Sequence, residues 1–580
     1  MHRFSVWAPG RGRVELVADG RRLAMTPVDR GWWEVSDDNA RAGTRYGYSL
    51  DGGEVRPDPR SASQPDGVLG ISEVVDHGAY VWTDAGWKGM PLAGAVLYEL
   101  HTGTFTPRGA FDGIIERLPH LVALGVDAIE LMPVAEFSGD RGWGYDGVDL
   151  FAPHHAYGGP AGLKRLVDAC HRSGLAVVMD VVYNHLGPAG NFLAEFGPYF
   201  SDRHHTGWGA GFDFDGPASD EVRRFVLDNA LMWIRDYHID GLRLDAVHAI
   251  ADLTPVHVLE QLANEVEALG TELKRATFVI AESDLNDPRF VRGRDAGGYG
   301  LDAAWSDDWH HAMHSTLTGE RTGYYEDFGS LEILAKALRQ GWAYDGEWSA
   351  HRQKLRGGST SGIPAHAFVI ALQNHDQVGN RAAGDRLGAL VQEGALKAAS
   401  ALLLTSPFTP LLFQGEEWAA SSPFQYFTDH ADPGLGKAVS EGRRREFARF
   451  GWDPDRVPDP QDPRTFDRSK LVWGELDEPF HQRMLDWYRE LVRLRRRLAA
   501  PRGSAGESVQ VRVDAEAQTV AFERDGISVR VNLGVHDWVC PISGGDRLLM
   551  ASEAAIRPNG GSLCVPPSSV VILESSIAGD

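Results

Sequence analysis

The chain has 580 residues, 43% of them hydrophobic, and a formal net charge of −24 at pH 7. Its length predicts two to four domains, and its apolar content is that of a globular protein with a large core. The acidic balance argues against a nucleic-acid partner and against an anionic membrane surface, since both require a basic face. With only three cysteines, no apolar signal core and no segment of membrane-spanning length, the sequence predicts a cytoplasmic enzyme or binding protein.

Residues 1–90 are predicted to form an N-terminal β-sandwich. FSVWAP, RVELVAD, GWWEVSD and YGYSLDG are short runs of alternating character separated by Gly, Asp and Arg clusters. A Pro/Asp/Ser-rich loop follows at 56–67, and a last strand is expected near residues 80–82. Trp7, Trp32 and Trp33 could stack on a sugar, but packing in this small core or at its domain interface is the favoured interpretation.

Residues 91–500 are predicted to form a (β/α)8 TIM barrel, because apolar strands alternate with helical stretches. Eight candidate strands occur in the order AVLYELH, DAIELMP, AVVMDVVYNH, GLRLDAVH, FVIAES, LDAAWSDDWHH, AFVIALQNHD and PLLFQGEEW. Gly125 and Gly174 are typical stop signals of the intervening helices. A doubly wound open sheet is the competing fold, but no Gly-rich phosphate-binding turn follows the first strand.

Residues 501–580 are predicted to form a C-terminal all-β domain. A helix expected at 479–499 is followed by the break PRGSAG and then by VQVRVD, QTVAFER, ISVRVNL and SVVILES, which alternate again. Packing against the barrel is the favoured role of this domain. The predicted fold class is therefore α/β, with a catalytic barrel flanked by two β domains.

Nearly every predicted barrel strand is apolar at its beginning and polar at its end. In a barrel those ends share one rim, on which active sites are built. The polar residues at the strand ends are His101, Asn184, His185, Asp245, His248, Glu282, Asp307, Asp308, His375, Asp376, Glu416 and Glu417. Solvation alone does not account for so regular a pattern.

The fourth strand carries Arg243 and Asp245 on one face, because both alternate with leucines. Taken alone, such a pair is as typical of a structural ion pair as of a ligand site. The next strand ends in Glu282, and neighbouring strands can bring Asp245 and Glu282 to the roughly 5 Å separation of a retaining glycosidase pair. Arg243 is expected to keep Asp245 ionised, while the apolar FVIA before Glu282 predicts a raised pKa for that acid.

Four stretches resemble, in order, the signature regions of the α-amylase superfamily of glycoside hydrolases and transglycosidases: DVVYNH, GLRLDAVH, AES and NHD. The resemblance implies that Asp245 is the nucleophile, Glu282 the general acid/base and Asp376 a third carboxylate that stabilises the transition state. It also places Arg243, His185, His375 and Tyr145 around the reacting sugar, with Tyr145 stacked beneath it, and gives supporting roles to Asp180 and Asn184.

Longer stretches resemble the maltooligosyltrehalose trehalohydrolases within this superfamily, from LYELHTGTFTPRGAF at the first strand to LLFQGEEWAASSPFQYFTDH at the eighth. The N-terminal sandwich is similar to the early-set, carbohydrate-binding-like domain that these enzymes share with glycogen branching and isoamylase-type debranching enzymes. The resemblance implies hydrolysis of the α-1,4 bond beside the terminal trehalose of maltooligosyl trehalose, with related α-glucans as further ligands. It also implies a pathway partner, a maltooligosyltrehalose synthase, that makes this substrate.

Selectivity for a non-reducing disaccharide requires rigid polar groups around it. The candidates at or just past strand ends are His248, Asp307, Asp308, His310, His311 and Gln377, for each of which a supporting structural role is equally expected. Trp143, Trp208 and Trp418 are candidates for the glucan cleft, with core packing as the equal alternative.

No cofactor and no metal are predicted. DDWHH resembles a ligand cluster, but His is a poor calcium ligand and no acidic loop of regular spacing is present. Two alternative functions stay open: a branching or debranching enzyme acting at α-1,6 links, and a non-catalytic glycan-binding protein. The intact Asp245, Glu282 and Asp376 argue against the second of these.

Overall fold

The computed structural model describes residues 1–449, 457–498 and 509–575. Within these ranges the chain forms a closed parallel barrel of eight strands, with all-β sheets in both terminal regions. The predicted fold class is confirmed. The predicted boundary at residue 501, the PRGSAG break and the expected helix end at residue 499 lie outside the described residues.

The N-terminal region forms two antiparallel sheets that pack their inner faces together. One sheet contains the strands His2–Trp7, Trp32–Asp37 and Thr26–Pro27; the other contains Arg21–Ala24, Val14–Ala18, Arg45–Leu50, Val55–Arg56 and Ser72–Glu73. Trp7 and Trp33 are buried in this core, and the indole of Trp32 donates to Glu221 of a barrel helix at 3.0 Å. The interpretation of these tryptophans as core and interface residues is therefore supported.

The prediction of a strand near residues 80–82 is wrong. The chain has left the sandwich after Ser72–Glu73 and forms a 3-10 turn at His77–Ala79. Trp82 then stacks on His238 with the ring centroids 3.8 Å apart and packs edge-on against Tyr80. The alternation of aromatic residues here does not indicate a strand. Tyr80 and Trp82 instead make side-chain ring contacts with each other and with His238.

All eight predicted barrel strands are confirmed. They are Leu97–Leu100, Ala128–Leu131, Ala176–Val181, Gly241–Leu244, Phe278–Ala281, Ala303–Trp305, Phe368–Ala371 and Thr409–Phe413, and the last pairs with the first to close the sheet. Their residues are buried throughout, which explains why the strands are mostly apolar. The ionisable residues inside them are Glu99, Glu130, Asp180 and Arg243. Their carboxyl ends meet at one rim.

Helices lie between the barrel strands in the chain and after the last of them. The longer ones are Phe111–Leu124, Gly159–Arg172, Ser219–Asp236, Val258–Leu273, Asp307–Thr318, Leu331–Gln340, Glu393–Thr405, Pro433–Arg449 and Pro479–Arg497. The predicted stop signal at Gly125 is confirmed, since its φ of 95° is left-handed and its N–H closes the last turn on Leu121. The helix predicted from residue 479 is confirmed over Pro479–Arg497.

The C-terminal region is all β, as predicted. Its four predicted strands occur as Gln510–Asp514, Thr519–Arg524, Ile527–Asn532 and Ser569–Glu574, together with the unpredicted Trp538–Pro541, Arg547–Ala551, Pro558–Asn559 and Ser562–Val565. Arg524 donates to the carbonyl of Ser406 at 2.6 Å and Lys397 to that of Ser552 at 3.3 Å. These contacts attach the domain to the barrel.

The segment that joins the sandwich to the barrel is fastened to the amino-terminal face of the barrel by His171. Its Nδ1 lies 2.8 Å from Asp84 and its Nε2 lies 2.9 Å from Asp240, and Trp87 stacks on the ring. Burial opposes protonation, but the hydrogen bonds to the two carboxylates outweigh it and raise the pKa of His171.

His171→Gln is expected to lower the free energy of unfolding by about 3–5 kcal/mol, because two buried carboxylates lose the cation between them. The loss should be full below the unfolded-state pKa of about 6.5 and should shrink as pH rises through the raised native pKa. Urea unfolding at several pH values measures this difference. The exposed His536 gives the control His536→Gln, and a loss for His171→Gln that does not vary with pH would contradict the protonated form.

In the part of the chain that is described, no helix has both the length and the apolar content needed to cross a membrane.

Candidate active site

Three carboxylates converge on the rim formed by the carboxyl ends of the strands. Asp245 directly follows the strand Gly241–Leu244, Glu282 directly follows Phe278–Ala281, and Asp376 lies in the short helix His375–Gly379 after the seventh strand. Asp245 and Asp376 both contribute to the electrostatic environment of Glu282. The structure thus brings together the three residues that the sequence singled out.

Arg243 lies at the centre of this group and is fully buried. Its Nη1 donates to both carboxylate oxygens of Asp180 and to Oδ1 of Asp245, each at 2.9 Å. Its Nη2 lies 3.7 Å from Oε2 of Glu282. Burial lowers the pKa of Arg243, but the surrounding acids, Asp180 first, outweigh it and raise the pKa, so the guanidinium is a fixed positive charge between the two candidate catalytic carboxylates.

Asn184 and His185 follow the third strand, on the other side of Asp245. The amide of Asn184 donates to Oδ2 of Asp245 at 2.8 Å and to its carbonyl at 2.9 Å, and Oδ1 of Asn184 contacts Nδ1 of His185. Trp208, at the tip of the hairpin formed by Phe200–Thr206 and Gly209–Phe212, stacks on His185 with the centroids 5.5 Å apart. Trp208 is 58% exposed, so its indole is open to a ligand.

The backbone after Asp245 helps to position Glu282. Ala246 adopts a left-handed conformation with φ 41°, which is uncommon for a residue with a Cβ and is typical of functional sites. Its N–H donates to Oε2 of Glu282 at 2.6 Å. Burial raises the pKa of Glu282 well above its usual range; Arg243 opposes the shift, and Asp245, Asp307 and Asp376 add to it. The apolar sequence before Glu282 predicted this direction.

Tyr145 and His375 form the floor between the third and seventh strands. The hydroxyl of Tyr145 donates to Asp180 at 2.6 Å and lies 2.7 Å from Nε2 of His375, and the two rings stack at 25°. Asp376 lies beside them, 3.5 Å from the same Nε2, and its side chain is 41% exposed. Asp376 is therefore the most accessible of the three carboxylates.

The further rim candidates separate into two groups. His248 is exposed and His311 and Asp307 are half-buried, while Gln377 is buried and its amide donates to Asp307 at 3.3 Å. Burial, with Asp376 next, raises the pKa of Asp307 to about 7. Asp308 and His310 are buried instead: Asp308 accepts two backbone N–H groups of residues 343 and 344, and His310 bonds the carbonyl of Leu372. These contacts support the structural alternative for Asp308 and His310, and a direct substrate contact of either residue stays a prediction.

Other polar strand ends and tryptophans are also structural. Trp418 is fully buried and donates to Glu475, while Trp143 is buried and stacks on Phe424. Glu416 and Glu417, beside Trp418, are buried and bonded to Tyr488 and Tyr98. Core packing therefore accounts for Trp143 and Trp418, and Trp208 is the only one of the three candidates with an exposed ring.

Two features of the site escaped sequence analysis. Glu99, in the first strand, contacts His375, and Asp284, just past the fifth strand, pairs with Arg352 and Arg356 of a hairpin that faces His248. Glu99 carried one signal in the sequence, namely an ionisable residue inside the buried strand LYEL. The arginine contacts depend on a hairpin fold that no local pattern indicates.

One cluster of described residues could hold a metal ion, formed by Glu136, His154 and His155. Oε1 of Glu136 lies 2.9 Å from Nδ1 of His154 and 2.7 Å from Nδ1 of His155. Hydrogen bonds account for this arrangement, and none of the three rim carboxylates belongs to it.

The arrangement is suited to splitting an acetal bond with two carboxylates. The carboxylate of Asp245, whose two oxygens accept from Arg243 and from Asn184, can meet positive charge at an anomeric carbon, and the raised pKa of Glu282 supplies a proton donor at neutral pH. The barrel and its rim define a glycoside hydrolase of the α-amylase type, and the model of the alpha amylase catalytic domain matches residues 60–202.

Comparison with known proteins narrows this class. The Malto-oligosyltrehalose trehalohydrolase of Rhizobium sp. (strain M-11) is 49% identical, over 98% of this chain and 97% of that protein, and the enzyme of the same name from Arthrobacter ramosus is 50% identical, over 99% and 100%. The crystal structure of a Salmonella typhimurium protein classed with the alpha amylases is 40% identical, with a TM-score of 0.90 over 99% of this chain and 97% of that one. The chain belongs to the malto-oligosyltrehalose trehalohydrolase family.

Proposed function

We propose that this protein is a retaining glycoside hydrolase that cleaves the α-1,4 bond beside the terminal trehalose of maltooligosyl trehalose, releasing trehalose and a maltooligosaccharide. Family membership over nearly the whole chain supports the substrate. The observation that supports a two-carboxylate mechanism is the position of the Arg243 guanidinium between the carboxylates of Asp245 and Glu282.

In the proposed first step, Asp245 attacks the anomeric carbon while Glu282 protonates the departing oxygen of trehalose. Both oxygens of Asp245 have a donor, Arg243 or Asn184, so the carboxylate is aligned before substrate arrives. Glu282, now ionised, then removes a proton from water, and this water breaks the glycosyl ester with retained configuration. Asp376 is proposed to hold sugar hydroxyls, because it has the largest exposed fraction of the three.

The contacts proposed for the substrate follow from the place of these side chains at the rim, although His185, His375 and Gln377 are themselves buried. Tyr145, His185 and His375 surround the reacting sugar, with Trp208 stacked on His185. His248, Asp307, His311 and Gln377 are proposed to line the subsites for trehalose. Rigid polar groups there discriminate, because an ordinary maltosyl end would leave some of them without a partner.

The pathway context is also a proposal. Maltooligosyl trehalose must be made from a maltooligosaccharide by an enzyme that converts its reducing end into a trehalosyl end, and we propose a maltooligosyltrehalose synthase as that partner. We also propose a cytoplasmic location. The three cysteines, of which Cys170 and Cys540 are buried, are all unpaired, as is usual for proteins of a reducing compartment.

The deciding experiment incubates the purified protein separately with maltooligosyl trehalose, the matching plain maltooligosaccharide and a branched glucan, and follows products by chromatography. We expect trehalose to be released far faster than any product from the other two. Rapid cleavage or branching of the glucans with little trehalose would instead establish one of the α-1,6 activities. Binding without any product would favour a glycan-binding protein.

A further inference from the structure

Glu99 projects from the first barrel strand into the base of the site, where it is 1% exposed. One carboxylate oxygen accepts the backbone N–H of His375 at 2.8 Å, and the other lies 2.5 Å from Nδ1 of the same residue. A carboxylate can only accept, so Nδ1 of His375 carries a proton. Both oxygens of Glu99 are thus used to hold one residue.

The other ring nitrogen of His375 must also carry a proton. Tyr145 has a single hydroxyl proton, which it donates to Asp180 at 2.6 Å. Its oxygen also lies 2.7 Å from Nε2 of His375, and that contact is a hydrogen bond only if Nε2 donates. Burial raises the pKa of Asp180 only to about 6, so Asp180 is an acceptor at neutral pH and the hydrogen-bond directions there give His375 the imidazolium form.

The charges around His375 agree with this form. The facing titratable and charged groups, from the first strand to the seventh, are Glu99, His101, Glu130, Tyr145, Asp180, Arg243 and Asp376. Burial opposes protonation, but Asp376 and Glu99 outweigh it and raise the pKa of His375 to about 9. Burial lowers the pKa of His101 to about 3, so His101 is neutral.

Glu130 is the natural comparison, because it lies directly opposite Glu99 on the neighbouring strand. It is equally buried, and neither of its carboxylate oxygens has a hydrogen-bond partner within the described residues. Burial first, and then the nearby Glu99, raise its pKa well above the usual range. Glu130 is therefore neutral and makes no hydrogen bond to His375. Of the two acids, Glu99 is the one whose carboxylate is bonded to Nδ1 of His375.

We propose that Glu99 is a positioning residue of the hydrolase site: its carboxylate keeps His375 doubly protonated and orients its Nε2–H toward Tyr145 and the reacting sugar. Tyr145, held in this way, donates its hydroxyl proton to Asp180, which also accepts from Arg243 beside Asp245. A continuous series of hydrogen bonds thus joins the first strand to Asp245. The catalytic consequence rests on the proposed function, whereas the protonation state of His375 does not.

Glu99→Gln tests this proposal. The amide keeps the shape but loses the charge, and one of its two ends must face an N–H group. We expect the pKa of His375 to fall by about 1 to 3 pH units. If the pKa of His375 falls by about 2, from about 9 to about 7, roughly one molecule in ten keeps the imidazolium at about pH 8. The value of kcat/KM should then drop about tenfold at about pH 8 and much less at about pH 6.

Because Glu282 also loses its proton on the alkaline side, the protonation of His375 is read directly, by 15N NMR of the histidine rings without substrate, with His375→Gln assigning the signal. Glu130→Gln is the matched control, since a neutral amide replaces a neutral acid on the adjacent strand. It should leave the His375 signal, the pH dependence and kcat/KM unchanged.

A double-mutant cycle separates positioning from general damage. If Glu99 acts through His375, Glu99→Gln should cost little further activity once His375 is already Gln. An unchanged His375 signal in Glu99→Gln, or an equal activity loss in both backgrounds, would overturn the proposal. If the wild-type protein released no trehalose, the proposed function would fail, and the NMR titration would still decide the role of Glu99.

Discussion

Asp245→Asn is expected to lower kcat for trehalose release by about four orders of magnitude or more, the loss typical of removing the attacking group. The neutral amide cannot form the glycosyl ester, and it cannot compensate positive charge at the anomeric carbon. It also places an N–H group against either Arg243 or Asn184, which both donate to Asp245 in the native site. Product release by chromatography and single-turnover kinetics measure the loss.

The matched control is Asp240→Asn, which changes the same residue type at the other end of the same strand. Asp240 accepts from Trp87, His171 and the N–H of Val177 at the amino-terminal face. A barrel separates stability at that face from catalysis at the rim. Asp240→Asn should therefore lower Tm and leave kcat nearly unchanged. Asp245→Asn should lower kcat and leave Tm nearly unchanged. Comparable kcat losses in the two variants would remove the argument for Asp245 as nucleophile.

The eight strands and the rim carboxylates could be predicted because their signals are local. A strand that is buried on both faces is mostly apolar, and a polar residue directly after it must lie at the rim, whatever the rest of the chain does. The raised pKa of Glu282 followed in the same way, from the apolar residues just before it.

The support of the site could not be predicted, because it depends on contacts between distant parts of the chain. Glu99 and His375 are 276 residues apart in sequence, and nothing near either one indicates the other. The left-handed backbone at Ala246 is equally unexpected, since the sequence places an ordinary alanine there. Asp308 and His310 resembled ligand-binding residues by position, but a polar residue past a strand end can also accept backbone N–H groups.

Glu282→Gln is expected to reduce hydrolysis of maltooligosyl trehalose by about 10²- to 10⁴-fold, the usual contribution of a general acid. The acid must be protonated to act, so wild-type activity should be present below the raised pKa of Glu282 and be lost as pH rises through it. An α-maltotriosyl fluoride needs no proton for departure of its leaving group. With that substrate the first step of Glu282→Gln should stay close to wild type and lose this alkaline decline.

The product formed with azide then distinguishes the two carboxylates. In Glu282→Gln, azide replaces the water that has lost its base, attacks the ester on Asp245 and should give the α-glycosyl azide. In Asp245→Ala, azide should enter from the face that the nucleophile has vacated and give the β-glycosyl azide. The two variants should give opposite anomers because the two carboxylates of a retaining site lie on opposite sides of the scissile bond. The same anomer from both variants would mean that Asp245 and Glu282 do not divide the roles of nucleophile and acid between them.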